Sequence, residues 1–339
     1  MIGKMIKRIV FGDSLLPQEF TIGLVEPQKE IAVWLHGLNK PLDVTWKVTT
    51  ACCAPLMMCV AFDTVGFPEK PNGKLLLKYC EREGEGRLLG EMQLAVARKL
   101  VIGESTFVLF NVPRSKCYCL PRARLWAHYA LHAYSQFRFV KNPDVKMTLK
   151  EQRAAAITFI RPHPLSLGSL QGEAGGNIFP MNLMGELGSG WFGFALKDSR
   201  HAAHLVEKTR RIALSSVPLE WSALAHRYAI HHTRDAIDWN QLPFALHASE
   251  KFCIPVPQFA PRVRELQVEA VHPIGSHTFF VARVVSDHAF EQEPVVHATH
   301  GFYQVWRMRG SIAELEASVK LNELNKHGAS GPVRSSPSA

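Results

Sequence analysis

Short apolar runs alternate with turn residues through the first third of the chain. Ile31–Leu35, Leu56–Phe62, Lys74–Tyr79, Leu89–Val96 and Thr106–Val112 are such runs, with Gly66–Gly73 and Glu83–Gly86 as loop material between them. Runs of this length bounded by turn signals predict strands. Many short strands without intervening helical periods predict a barrel or sandwich rather than alternating β and α. From Pro121 the period lengthens. Leu125, Tyr129, His132 and Gln136 share one flank, and Trp126, Ala130, Ala133 and Phe137 another, which predicts a helix opened by Pro121. A polar stretch at 141–153 follows, with Asn142-Pro143-Asp144 as a turn. The main boundary is expected there: a β-rich N-terminal domain with a closing helix over 1–150, then a second domain over 151–327.

Ala154–Phe159 reads as the strand that opens the second half. Val263–Val271, His277–Val285 and His300–Met308 read as later strands, and Ile312–Asn325 as a terminal helix. The Ser-, Pro- and Gly-rich residues 328–339 are expected to be disordered. The fold class is therefore mainly β with accompanying helices.

Composition changes this picture little. Hydrophobic residues make up 47% and charged residues 20% of 339, ordinary values for a globular protein. No apolar run is long enough to cross a bilayer, and the Met1–Leu16 start lacks the apolar core of a secretory signal, so a cytoplasmic location without membrane partners is expected. The net charge of +9 is spread along the chain. That favours a solvated basic surface and small anionic ligands over nucleic acid. The seven cysteines include one close pair, Cys117-x-Cys119, without the second pair a structural zinc site needs. The histidines form no His-Glu-x-x-His pattern, and Ser166 and Ser169 lack a nucleophile-elbow context. Neither a metal nor a hydrolase is expected.

The chemistry concentrates between Arg161 and Pro218. Arg161-Pro162-His163-Pro164 leads to a glycine-rich hairpin, Gly172 to Asn177, then to the aromatic strand Trp191–Leu196, then to Lys197-Asp198-Ser199-Arg200-His201. Ala202, Leu205, Val206 and Ile212 form an apolar stripe, which makes Ser199–Ile212 a helix with a basic first turn. The unpaired amides of a helix start carry partial positive charge, so an anion is favoured beside Lys197 and Arg200. The alternative is that Arg200 and His201 are simply solvated.

In that order, with Leu205-Val206-Glu207, a strand ending at Pro218, and Gly275-Ser276-His277-Thr278-Phe279-Phe280, residues 154–310 resemble the flavin reductase-like, FMN-binding split-barrel family. The resemblance implies a six-stranded Greek-key split β-barrel, a homodimer, and FMN near the dimer interface. It implies that Asn177, Phe179, Pro180, Met181 and Asn182 wrap the flavin ring, that Lys197, Ser199, Arg200 and His201 hold its phosphate, and that His277 lies near the active site. Pro180-Met181 stands where many relatives have a hydroxyl, and Gly185 to Gly190 replaces a Ser-x-x-Pro-Pro turn, leaving Asn182 and Ser189 as substitutes. The activity implied is transfer of hydride from NADH or NADPH to flavin, chemistry that belongs to the cofactor and needs no acid–base pair from the chain. Two other readings stay open: a flavin-binding protein without its own reductase activity, such as an electron carrier, sensor or partner-binding module, and a basic binding module with an empty barrel.

Overall fold

The computed structural model describes residues 19–25, 30–62, 66–68, 71, 73–82, 84–139, 145–173, 175–188, 190–290, 293–309 and 318–320. It is built mainly of strands. β1 (Glu19–Leu24) belongs to a small sheet described below. β2 (Ile31–His36), β3 (Leu42–Asp43), β4 (Val48–Cys53), β5 (Leu56–Phe62), β6 (Leu76–Glu81), β7 (Leu88–Ile102) and β8 (Ser105–Cys117) form a seven-stranded antiparallel sheet in the order β3-β2-β6-β7-β8-β5-β4. Helices α1 (Arg122–Phe139) and α2 (Leu149–Thr158) and the short β9 (His163–Pro164) follow. A second sheet then forms from β10 (Ser166–Gly172), β11 (Gly175–Met181), β12 (Met184–Glu186), β13 (Trp191–Lys197) and, after α3 (His201–Thr209), β14 (Arg211–Ser216). Helix α4 (Ser222–Arg227) and a ribbon of β15 (Leu246–Ala248) and β16 (Pro255–Pro257) precede its last strands, β17 (Arg262–Ile274) and β18 (His277–Ala289). The chain closes with β19 (Val295–His300), α5 (Gly301–Arg309) and β20 (Ser318–Lys320).

The second sheet has the order β11-β10-β14-β17-β18-β13-β12. Numbered within each sheet, both orders run second, first, fifth, sixth, seventh, fourth, third. The match extends to single residues. Ala61 faces Phe107 and Cys59 faces Leu109 in the first sheet, as Ala195 faces Phe279 and Gly193 faces Val281 in the second. The long hairpins carry the same irregularity, between Val96 and Arg98 and between Val268 and Ala270. They also turn on the same residue pair, Ile102-Gly103 (φ 59°) and Ile274-Gly275 (φ 53°). The N-terminal sheet is thus a second split barrel of the same topology. The second sheet has seven strands where the resemblance implied a six-stranded barrel, the short β12 being the added edge strand.

Each barrel has its own apolar core, and a third core lies between them. Ala51, Cys59, Ala61, Phe107 and Leu109 pack there against Leu187, Trp191, Ala195, Phe279 and Val281. Thr49 and Gly185 hold equivalent places, opposite Cys59 and Gly193. They meet at the centre, where a Cβ on Gly185 would stand 3.2 Å from Thr49 Oγ1. Equivalent positions meeting each other is the signature of two-fold packing.

Three sequence expectations fail. Ala154–Phe159 is not a strand but the body of α2 with its C-cap. Thr148 accepts from Glu151 N at 3.3 Å and donates its own N–H to Glu151 Oε2 at 2.6 Å, a capping box that fixes the helix start. Its Ala154, Ile157 and neighbouring Ile160 fill the first barrel's core. Nor is the segment after His300 a strand: it is α5, whose Phe302 and Tyr303 enter that same core. Within the expected helix Ile312–Asn325, Ser318–Lys320 is a strand paired with Phe20–Ile22; the remaining residues, like the expected disorder at 328–339, lie outside the described residues. The termini therefore interlock, since β1 also pairs along β19. Among the described residues no helix is long and apolar enough to cross a membrane.

Candidate functional site

The expected phosphate residues converge at one place. β13 and β18 are antiparallel with Lys197 opposite His277, so the start of α3 and the turn before β18 are neighbours. Asp198 ties them: its N–H donates to Ser276 O at 3.1 Å, and Thr278 Oγ1 donates to its carboxylate at 2.8 Å. Arg200 is the N-cap of α3, extended at φ −103°, ψ 137°, and no side chain caps the helix. Ala203 N–H is taken by Arg200 O at 3.0 Å, and no side chain takes the earlier first-turn amides, which lie beside the cations of Lys197 and Arg200. His201 Nδ1 lies 2.5 Å from Asp235 Oδ1, so a carboxylate already rests against this helix start. Ser199 is exposed.

His277 is buried. Its Nδ1 pairs with Ser276 Oγ at 2.8 Å and lies 3.8 Å from Cys52 Sγ of the first barrel. The turn between β4 and β5 closes over it: Ser276 N–H donates to Ala54 O at 2.9 Å, and Ala54 N–H to Ser276 Oγ at 3.2 Å. Gly275 is required here twice over. Its φ is positive, and a Cβ would collide with the Ala54 carbonyl. The site's edge is therefore made jointly by both barrels.

The expected ring residues are elsewhere engaged. Asn177 is fully buried: its Nδ2 donates to His231 O at 2.9 Å and Arg234 O at 2.8 Å, and its Oδ1 accepts from Ile178 N. Phe179 and Met181 face the second barrel's core, and Pro180 is buried with its carbonyl 2.7 Å from His232 Nε2. His231 Nδ1 lies 2.8 Å from Ile178 O, and Ile237 N–H donates to Gly176 O. β11 is an edge strand, and this 228–237 segment satisfies its open carbonyls. Asn177 is thus a clamp on that segment. Asn177→Ala is expected to cost about 1–3 kcal/mol, since one buried and one part-buried carbonyl lose their donor; urea denaturation would measure it, with faster proteolysis near Arg234. Asn182 is half-buried, its carbonyl 3.3 Å from His163 Nδ1, and Ser189 lies outside the described residues.

A cavity of about 480 Å³ lies where the barrels meet, lined by Trp46 from the first and by Arg161, Met184, Phe192, Arg262 and Arg264, among others, from the second. None of the expected flavin residues lines it. Arg161 is buried and donates to the carbonyls of Thr45 and Val48, fastening one barrel to the other. All seven cysteines are free, and no cluster able to hold a metal occurs among the described residues.

The second sheet has the fold of a split barrel, with a cationic helix start at its edge. Residues 162–305 match the family model described as flavin reductase like domain; the match spans the second barrel and leaves the first barrel outside it. Among solved structures, the chain is similar to an FMN-binding protein from Thermus thermophilus with bound p-hydroxybenzaldehyde, at 25% identity over 38% of this chain and 72% of that one, TM-score 0.33. It is also similar to an NADH:FAD oxidoreductase from Streptomyces globisporus (13%, 47% and 95%, TM-score 0.40) and to the styrene monooxygenase flavin reductase from Pseudomonas putida (19%, 42% and 90%, TM-score 0.34). A search of the curated proteins found no match.

Proposed function

We propose that the second barrel binds FMN and serves as a flavin oxidoreductase, with NADH or NADPH as the source of hydride. The observation that carries this reading is the uncapped, basic start of α3 inside a domain that matches the flavin reductase family. Lys197, Ser199, Arg200 and His201 would hold the phosphate, a donor set that suits an oxyanion. Bound FMN would supply the ring that accepts hydride. Asn182 and His277 remain in the proposed ring site. The side chains of Asn177, Phe179, Pro180 and Met181 do not, because they are committed to the core and to the 228–237 segment.

We infer further that the first barrel takes the place of a second subunit, so that one chain supplies both sides of the site. The packing of Thr49 on Gly185 and of Ala54 on Ser276 supports this. It has no counterpart to α3: the connection 63–75 is non-helical among its described residues. One FMN per monomeric chain is expected by titration with light scattering.

Flavin binding without hydride transfer is the second reading, favoured by the burial of His277 beneath the 54–55 turn. Bleaching of a yellow preparation by NADH or NADPH would support the first reading, and its absence the second. Arg200→Ala is expected to weaken FMN about 10-fold and leave riboflavin unchanged, because only FMN carries the phosphate. Equal losses in fluorescence titrations of the two would sink the phosphate assignment.

A further inference from the structure

A second concave site lies on the first barrel, outside the flavin reductase match. It is a cavity of about 630 Å³ between the end of β8, the start of α1 and the start of α2. That volume is in the range of small-molecule sites. Arg114, Lys116, Arg122, Lys150 and Arg153 line it, and no acidic side chain does.

Among the described residues, Arg114, Lys116, Arg122 and Lys150 make no ion pair. Glu91 stands opposite Lys116 in the β7–β8 register without bridging to it. The Glu151 carboxylate is taken up by Thr148 at the cap of α2. Arg153 is explained by packing, since its guanidinium lies 4.7 Å from the centre of Trp126 and 5.5 Å from that of Tyr129. The other four cations thus share the cavity without a bonded carboxylate among the described residues.

The equivalent hairpin of the second barrel is an internal control. Ser286 and His288 stand where Arg114 and Lys116 do, counted from the shared Ile-Gly turns. Asp287 between them is bonded to Arg262 and Arg264. The shared fold therefore does not require the cluster. It was placed on one copy.

Aromatic surface accompanies the charge. Trp126 is 45% and Tyr118 42% exposed at the cavity, although both rings are large and apolar. Unpaired cations and exposed rings together recognise a flat, phosphorylated ligand: the rings stack a base, and the cations take its phosphates. We propose that this cavity binds a free nucleotide with two or more phosphates. Four open cations exceed what one phosphate needs, and the cavity's size suits a small ligand rather than a polymer.

The test uses the full chain and isothermal titration at low salt with ADP, adenosine, tripolyphosphate and a short single-stranded oligonucleotide. ADP is expected to bind at least 10-fold more tightly than adenosine and to weaken as salt is raised. Lys116→Glu with Arg122→Glu, both exposed, should weaken ADP at least 10-fold while leaving FMN binding and the circular dichroism spectrum unchanged. Trp126→Ala should weaken ADP and not tripolyphosphate. The proposal is overturned if ADP and tripolyphosphate bind alike, if the double variant binds ADP normally, or if the oligonucleotide outcompetes ADP at equal phosphate concentration. Because FMN is titrated separately on the same variants, loss of this site is distinguishable from loss of the flavin site.

Discussion

Replacing Glu30 by alanine is expected to remove about 3–5 kcal/mol of stability, the cost of leaving a buried guanidinium unpaired. Arg307 is 1% exposed; its Nη2 donates to Glu30 Oε1 at 2.6 Å, and Tyr303 donates its hydroxyl to Oε2 at 2.7 Å. Among the described residues Arg307 Nε has no partner, and Glu30 is the anion paired with this guanidinium. The same contacts hold α5 in the first barrel's core, where Tyr303 is fully buried and its hydroxyl is pushed far up by burial and then by Glu30. Glu30→Gln keeps an acceptor but not the charge, and should lose less. Urea denaturation followed by tryptophan fluorescence measures both. A loss below about 1 kcal/mol for the alanine variant would mean that α5 is not anchored through this pair.

Acid should destabilise the protein well before its carboxylates titrate. Burial lowers His163 to about 3, with Arg161 adding to the effect against two backbone carbonyls that raise it. Burial lowers His297 to about 4, and burial with His128 and His132 lowers His300 to about 3. All three folded values lie below the unfolded value near 6.5, so between the two the unfolded chain binds protons that the folded chain refuses. Stability is therefore complete above about pH 6.5 and falls as pH drops toward the folded values. The loss per group approaches about 1.4 kcal/mol per pH unit only below pH 6.5, where the unfolded ring is mostly protonated, so the three together give about 3 kcal/mol between pH 6.5 and 5.5. Denaturation midpoints from pH 7.5 to 5 test this, and His163→Gln should remove about 1 kcal/mol of the change between pH 6.5 and 5.5. A flat profile would show that these rings can be protonated inside the fold.

Most strands were legible because their apolar runs are short and bounded by turns. The second barrel's order was legible through a chain of motifs from Arg161 to His277. Two helices were misread for different reasons. Ala154–Phe159 has a strand's length and apolarity, yet Thr148-x-x-Glu151, a helix-start signal, stands just before it. In Gly301–Arg309 the aromatic residues suggest a strand, while Phe302, Tyr303 and Trp306 follow a helical spacing that buries them beside Arg307. The duplication was also written in the sequence, as Ile102-Gly-Glu-Ser-Thr-Phe107 and Ile274-Gly-Ser-His-Thr-Phe279, but so few shared residues are visible only once the registers are known. The role of Asn177 could not be read at all. Its acceptors are backbone carbonyls 54 and 57 residues away, which carry no residue-type signal.

The exchange of end segments has an evolutionary consequence. β1 lies beside β19, and α5 sits under the opposite barrel. A gene broken between the two copies would yield one product with an open hydrophobic hole and another with an unprotected sheet edge. Fusion of the copies is thus hard to reverse: each half has surrendered a piece that only its sibling can supply.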